Sequence, residues 1–382
     1  MERLQPAPSG EFQDYPGHFI MPDSSTQTRI SLSDLERAQA KLAAWLIFLV
    51  LVVFLVIVWG GYVRLTGSGL SIPDWPLING SFLPPFSDQD WQAVYASYHR
   101  ELYNISDLTL PIEIPMRRFK TLFAIEYFHR SLAALVGIGF VVIVVKSVRR
   151  RQIWGKIRWL IVSAAILLLG QATLGGIVVK QELQAELVAI HLGLAFLFLG
   201  LLLWTALYLS RPKESVRLKK NNGLSLLAWL GGVVFWLQVV WGGLTAGTKA
   251  GLIFNSFPKM GDYLIPPFNV LFSPAYGSFL ANLFRNQILI QFVHRWWAFV
   301  ALIFIVALIV KGMYVPLSPR GRLALRLVGS ITVFQILWGI LNLLLKIPVW
   351  ISLVHLGTAL LIFAFLVIIA HEARYKYVVA TL

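Results

Sequence analysis

The sequence predicts an all-α membrane protein with eight transmembrane helices, arranged as two tandem four-helix bundles related by pseudo-two-fold symmetry. Three observations lead to this prediction. Of the 382 residues, 57% are hydrophobic and 13% are charged, whereas soluble domains are about 25% charged. Eight apolar runs are long enough to cross the ~30 Å hydrocarbon core of a bilayer. The motifs of the first half also recur in the second half.

The apolar runs divide the chain into two units of four spans. The predicted spans are 43–62, 123–145, 159–179, 185–209, 224–245, 288–310, 325–345 and 349–369. The predicted segments are an N-terminal tail (1–42), a first bundle (43–209) with a long loop (63–122), a linker (210–223), a second bundle (224–370) and a C-terminal tail (371–382). The N-terminal tail lacks the apolar core of a signal peptide and is too acidic for a typical transit peptide.

Basic residues cluster in alternate connections. Residues 146–158 contain six basic residues and no acid, 211–220 contain five and one acid, and 311–326 contain four and no acid. The long loop 63–122 balances five basic residues with six acids. By the positive-inside rule, the three basic connections and both termini should face the cytoplasm. The net charge of +15 is therefore explained without binding to nucleic acid. The missing transit signal favours a bacterial inner membrane over a mitochondrion.

The two halves are copies of one unit. Residues 59–85 and 241–267 align over 27 residues without a gap, sharing the Trp-Gly-Gly start and the Pro-Pro end. Further on, "FHR" at 128–130 matches "VHR" at 293–295, and "VAIHLGLAFL" at 188–197 resembles "SLVHLGTALL" at 352–361. Such parallel repeats usually form two bundles related by an axis along the membrane normal.

Four histidines fall at one depth in this arrangement. His129 and His294 lie about seven residues into helices entered from outside, and His191 and His355 lie about six residues into theirs. At 1.5 Å per residue, all four lie roughly 10 Å inside the outer boundary. Each bundle then has one histidine on its second helix and one on its fourth, which suits the axial ligands of a haem standing between them.

Haem is favoured over other uses of these histidines without being required. Neutral imidazole binds several metals, and a lone intramembrane histidine is often a hydrogen bond between helices. The chain has no cysteine, which excludes disulfides, iron–sulfur clusters and thiolate ligands. No carboxylate cluster completes a zinc or di-iron site, and nearby glycines leave room for a flat ligand. Arg130 and Arg295 adjoin two of the histidines, and a guanidinium pairs with carboxylates such as haem propionates.

The stretches "GGYVRLTGSGLS", "EYFHR", "AGLIFNSFPKMG" and "QFVHR" resemble the haem A synthase family, the CtaA/Cox15 type, over residues 43 to 370. The resemblance implies an oxidoreductase that oxidises the C8 methyl of haem O to the formyl of haem A for terminal cytochrome oxidases. It places haem B between His294 and His355, and the substrate haem O near His129 and His191. It also implies a catalytic role for Glu126, and the lack of cysteine matches the Cys-free branch.

The halves differ at one chemically important position, where Glu126 becomes Gln291. Glu126 and His129 are three residues apart and share a helix face. Oxidising a methyl group releases protons, and a buried carboxylate can act as base or relay, so the difference suggests reaction in the first half and electron transfer in the second. The alternative is that Glu126 only pairs with Arg130. Arg64, Arg130 and Arg295 are further candidates for binding haem propionates.

Two other functions remain open from the residues alone. A non-catalytic bis-histidine cytochrome b would pass electrons from quinol, and a transporter would place polar residues at several depths. If the protein is the enzyme, its partners are haem O as substrate, an unidentified electron acceptor and membrane lipid. Haem O synthase and cytochrome oxidase assembly factors are candidate partners, and a homo-oligomer remains open.

Overall fold

The structure, a computed structural model, describes residues 32–78, 80–105, 114–211, 215–217 and 223–377. Residues Gln39–Leu382 form one compact unit. The remainder, Met1–Ala38, is a separate unit, of which only the beginning of the first helix is described. Most of the predicted N-terminal tail therefore lies outside the described residues.

Eleven helices follow one another along the described residues. They are α1 (Leu32–Thr66), α2 (Asp88–Ile105), α3 (Met116–Val148), α4 (Arg151–Lys180), α5 (Ala185–Leu209), α6 (Leu224–Gly247), α7 (Phe268–Leu271), α8 (Phe279–Arg285), α9 (Gln287–Met313), α10 (Pro319–Leu344) and α11 (Val349–Glu372). Two short strands, β1 (Ser215–Arg217) and β2 (Tyr375–Tyr377), pair antiparallel. Eight of these helices, all except α2, α7 and α8, are long and apolar enough to span a membrane. The predicted all-helical class with eight spans is confirmed.

Several helices begin before the apolar runs that predicted them. The second span begins at Met116 rather than 123, the third at Arg151 rather than 159, and the seventh at Pro319 rather than 325. The added turns are rich in arginine and lysine. Their long side chains can reach the headgroup region while the backbone continues its helical hydrogen bonds.

The two tight connections between spans have the same backbone geometry. The chain turns between α4 and α5 at Glu182 and Leu183, and between α10 and α11 at Lys346 and Ile347. All four of these residues have a positive φ, between 55° and 62°. The two turns occupy equivalent positions of the repeat, so the duplication is visible in the backbone as well as in the residues.

The long loop predicted at 63–122 contains a helix, α2, that the sequence analysis did not predict. Trp91, Val94, Tyr95 and Tyr98 recur at helical spacing and pack against the start of α3. The Tyr98 and Phe119 ring centroids, for example, are 5.0 Å apart. This amphipathic pattern was the signal for a helix that packs one face against α3.

The halves pack through glycines at equivalent positions. A Cβ on Gly61 of α1 would lie 2.7 Å from Leu356 Cδ2 of α11, and a Cβ on Gly243 of α6 would lie 3.3 Å from Leu192 Cδ2 of α5. Both the glycines and the leucines correspond in the repeat. The first helix of each half therefore packs on the fourth helix of the other half, as expected for two-fold-related units.

Candidate functional site

The histidines that the sequence pairs lie on corresponding helices of the two halves. In the first half, His129 lies on α3 and His191 lies on α5. In the second half, His294 lies on α9 and His355 lies on α11. Each couple joins the second and fourth membrane helix of one bundle.

Each of the four imidazole rings lies against a glycine of a neighbouring helix. The distances from an added glycine Cβ to the ring Cε1 are short throughout: Gly60 to His129 3.0 Å, Gly175 to His191 3.5 Å, Gly242 to His294 3.1 Å and Gly339 to His355 2.8 Å. A contact near 3 Å leaves no room for a side chain. Three rings therefore occupy the space that a side chain at Gly60, Gly242 or Gly339 would need, whereas the separation at Gly175 is an ordinary contact.

The second pair is held by two glutamine side chains. Gln238 Nε2 lies 3.2 Å from His294 Nδ1 and donates to the His294 carbonyl oxygen at 2.9 Å. Gln335 Nε2 lies 3.4 Å from His355 Nε2, and Gln335 Oε1 accepts a hydrogen bond from Thr358. Both imidazoles of the second half are therefore oriented by an amide.

The first pair lacks these contacts. Nδ1 of His129 and Nδ1 of His191 are buried and have no hydrogen-bond partner among the described residues. Gln171, the counterpart of Gln335, donates to the His191 carbonyl oxygen at 2.9 Å and not to the ring. The counterpart of Gln238 is Val56. Among the described residues, no hydrogen bond to Nδ1 orients either ring of the first half.

The donor set suits a metal that needs two protein ligands. In the part of the chain that the structure describes, no three His, Cys, Asp or Glu side chains gather to hold an ion. A porphyrin supplies four nitrogens itself and takes one imidazole on each face. Two imidazoles on separate helices of one bundle fit that requirement. In His129, His191 and His355 the buried Nδ1 has no hydrogen-bond partner among the described residues.

Arg130 and Arg295 hold the two long loops, which are defined here as residues 67–115 and 248–286. Their guanidinium groups donate to carbonyl oxygens at equivalent positions of the repeat. The bonds are Arg130 to Ile72 (2.5 Å) and Asp74 (2.6 Å), and Arg295 to Phe254 (2.7 Å) and Ser256 (2.9 Å). Each arginine therefore ties the start of a long loop to the helix that bears a histidine.

Glu126 sits at the centre of a hydrogen-bond network in the first half. Its side chain is buried, and it accepts from the Ser71 hydroxyl at 2.8 Å, from the Ile72 backbone N–H at 3.1 Å and from Arg130 at 2.6 Å. The Glu126–Arg130 ion pair that sequence reasoning kept as an alternative is therefore present. The ion pair uses only Oε1 of the carboxylate, because Ser71 and Ile72 donate to Oε2.

Gln291 reverses the polarity of this contact in the second half. Its Nε2 donates to the Phe254 carbonyl oxygen at 3.0 Å, where Glu126 accepts from the equivalent residue. The serine is also replaced, because Ile253 stands at the position of Ser71. The second half therefore retains the loop anchor without a carboxylate or a hydroxyl.

Arg64 lies between the two halves. Its Nη2 donates to the Gly247 carbonyl oxygen of α6 at 2.7 Å. Its Nε is buried and has no hydrogen-bond partner within the described ranges. The predicted role of Arg64 at a haem propionate stays a prediction, beside a contact that joins α1 to α6.

Sequence reasoning missed Gln238, Gln335 and Ser71 as site residues. A single glutamine inside an apolar span was the available signal for Gln238, because an amide in hydrocarbon needs a partner. Gln335 recurs as Gln171 in the repeat, which identified the position but not its contact with a ring. Nothing in the local sequence indicates that Ser71 approaches Glu126, which is 55 residues away.

Comparison with protein-family models matches residues 43–367 to COX15-CtaA, described as a cytochrome oxidase assembly protein. Similar proteins carry the name "Heme A synthase". One from Nitrosospira multiformis is 35% identical over 352 residues, covering 88% of this chain and 94% of the relative. One from Nitrosomonas eutropha is 34% identical, covering 84% and 90%. One from Paracoccus denitrificans is 32% identical, covering 89% and 90%.

The Glu126–Arg130 pair predicts a measurable coupling free energy. Arg130→Met leaves a buried carboxylate without its cation, which is costly, whereas the same change in a Glu126→Gln background does not. We expect a coupling of about 1–3 kcal/mol from the double-mutant cycle, measured as free energy of unfolding in mixed micelles. The matched cycle on Gln291→Leu and Arg295→Met should give a smaller value. Equal couplings at the two sites would show that the carboxylate charge contributes nothing.

Proposed function

Because this chain belongs to the COX15-CtaA family of cytochrome oxidase assembly proteins, we propose that it is a haem A synthase, the name borne by its relatives. It is an oxidoreductase that acts on haem O. The C8 methyl is oxidised first to an alcohol and then to the formyl group of haem A. The family does not favour the alternative of a non-catalytic cytochrome b.

We assign different roles to the two halves because their histidine pairs have different surroundings. The second pair is oriented by Gln238 and Gln335, whereas no ring nitrogen of the first pair has such a partner among the described residues. An amide group beside a ligand's ring holds that ring in one orientation. A resident cofactor has to stay bound, whereas a substrate has to leave after each turnover. We therefore assign haem B to His294 and His355, and haem O to His129 and His191.

Bound between His294 and His355, haem B would supply electron transfer, since an iron with two imidazole ligands has no open position. The surrounding residues hold those ligands in place. Gly242 and Gly339 set the depth of the rings, and the two amides set their rotation. Arg295 closes the second long loop over the bundle.

In the first half, Glu126 is the proton acceptor of the reaction. The Ser71 hydroxyl donates to its carboxylate, and a hydroxyl can pass on a proton because it both donates and accepts. Arg130 stabilises the negative charge and fixes the loop above it. Gln291 and Ile253 make the equivalent position of the second half unable to take up a proton.

The first long loop shields this site from water. Trp75 packs on Gly176 of α4, where an added Cβ would lie 2.8 Å from the indole ring. Gly176 follows Gly175, the residue against which His191 lies. The loop thus reaches the level of the first pair, and Arg130 anchors its beginning.

The protein is a multi-pass membrane protein, and its relatives are bacterial. We place it in the inner membrane with both termini cytoplasmic, because the basic residues concentrate in connections 146–158, 211–220 and 311–326. The histidines and long loops then lie toward the opposite side. Haem O synthase, assembly factors of cytochrome oxidase and a separate electron acceptor are the partners that this activity calls for.

Replacing Glu126 with glutamine should abolish haem A production while the resident haem B is kept. Glutamine has nearly the same shape but cannot accept a proton, and general base catalysis is typically worth about 10²–10⁴-fold in rate. The measurement is pigment extraction after co-expression with haem O synthase in a bacterium that lacks haem A. Gln291→Glu is the matched control, expected to leave haem A production active. Unchanged haem A in the Glu126→Gln strain would eliminate the proton-acceptor role.

Replacing Gln238 with leucine should weaken haem B binding without removing it. Loss of a residue that orients a ligand typically costs about 10–100-fold in metal affinity. The purified variant should contain less haem B, and its electron paramagnetic resonance signal should broaden as the His294 ring rotates. Val56→Leu, at the equivalent position of the first half, is the control and should leave both quantities unchanged. A Gln238→Leu protein with full haem content and an unaltered signal would contradict the assignment.

A further inference from the structure

Both long loops carry an exposed apolar tip, residues 82–86 and 264–268, at equivalent positions of the repeat. The tips read "FLPPF" and "LIPPF". Their large side chains are exposed rather than packed, and Phe86 and Phe268 are 77% and 75% accessible. The other exposed apolar members are Phe82, Leu83, Leu264 and Ile265. Exposed apolar clusters of this kind mark a surface that contacts a partner or a membrane.

The sequence around each tip is free of charge. No Asp, Glu, Lys or Arg occurs between Asp74 and Asp88, or between Asp262 and Arg285. A loop that faces water normally carries charged side chains. These two segments instead have the composition of an interfacial layer, where aromatic and aliphatic groups are favoured and charges are not.

The backbone of the tips suits a medium that is poor in water. Each tip begins after a tight turn whose N–H and carbonyl groups pair with each other, Ile78 with Ser81 and Met260 with Tyr263. The Pro-Pro pair inside each tip removes two N–H donors that would otherwise need partners. The exposed chain therefore presents few unpaired donors.

The second tip leads into two short helices that pack on a membrane helix. The short helices α7 and α8, which follow the tip, both contact α9. Phe279 and Leu280 of α8 are exposed, as are Phe299 and Ile303 along α9. Apolar side chains are thus exposed both on this span and on the loop segment that packs against it.

We propose that the tips 82–86 and 264–268 insert into the lipid interface on the side of the long loops. Lipid is the partner because the feature occurs in both halves. A single docking protein would require only one tip, and the other would be free to acquire charges, whereas lipid surrounds both halves. Each long loop is then fixed at two points, by Arg130 or Arg295 to the bundle and by its tip to the bilayer.

Since the chain has no cysteine, single-cysteine labelling tests this directly. The full-length Phe86→Cys and Phe268→Cys proteins carry an environment-sensitive fluorophore in phosphatidylcholine vesicles. Leu83→Cys and Ile265→Cys provide a second pair at the same tips. Gln89→Cys, on the exposed first turn of α2, is the aqueous control. Ile303→Cys, exposed on α9, is the hydrocarbon control.

Labels at both tips should be quenched by lipids brominated near the headgroup, and their Stern–Volmer constants for aqueous iodide should be several-fold lower than at Gln89. Iodide quenching equal to that at Gln89 would overturn the proposal, because the tips would then lie in water. Protection from both quenchers would also overturn it, because protein would then cover the tips. Quenching by lipid at one tip alone would contradict the shared role of the two halves. These outcomes do not depend on haem A synthesis.

Discussion

The structure depends on the close approach of each imidazole to a glycine in the neighbouring helix. An imidazole inside a membrane-spanning helix is costly unless its polar atoms find partners. Glycine lets the ring pack directly onto the backbone of the neighbouring helix. The four contacts occur at equivalent positions, namely Gly60, Gly175, Gly242 and Gly339. The arginine-anchored loops and the packing of the halves repeat around this arrangement.

Within this shared geometry, the two halves differ at a few positions that change the chemistry of the side chains. The first half has Glu126 and Ser71 where the second has Gln291 and Ile253, and so retains groups that can move a proton. The second half has Gln238 where the first has Val56, and so orients a ring that the first leaves to packing. Duplication supplied two equivalent pairs of histidines. In the proposed function, substitutions beside these histidines adapt one site to reaction and the other to holding a resident cofactor.

Hydrophobicity and internal repetition were enough to predict the eight spans and the two tight turns, because each depends on the length and period of the apolar runs. They were not enough to predict α2, whose amphipathic pattern lies inside a segment interpreted as loop. The role of Arg130 and Arg295 at haem propionates stays a prediction, but their contacts with loop carbonyls were not foreseen. Such contacts join residues more than 35 positions apart, and no local pattern encodes them. Gln238 was missed for the same reason.

The most direct test is the haem content and ligation of two double variants purified from cells that make haem O. The His294→Ala/His355→Ala protein should lose its resident haem B and the low-spin signal of an iron with two imidazole ligands. The His129→Ala/His191→Ala protein should keep both and produce no haem A. Retention of haem B in the first variant, together with its loss from the second, would contradict the assignment of the two pairs.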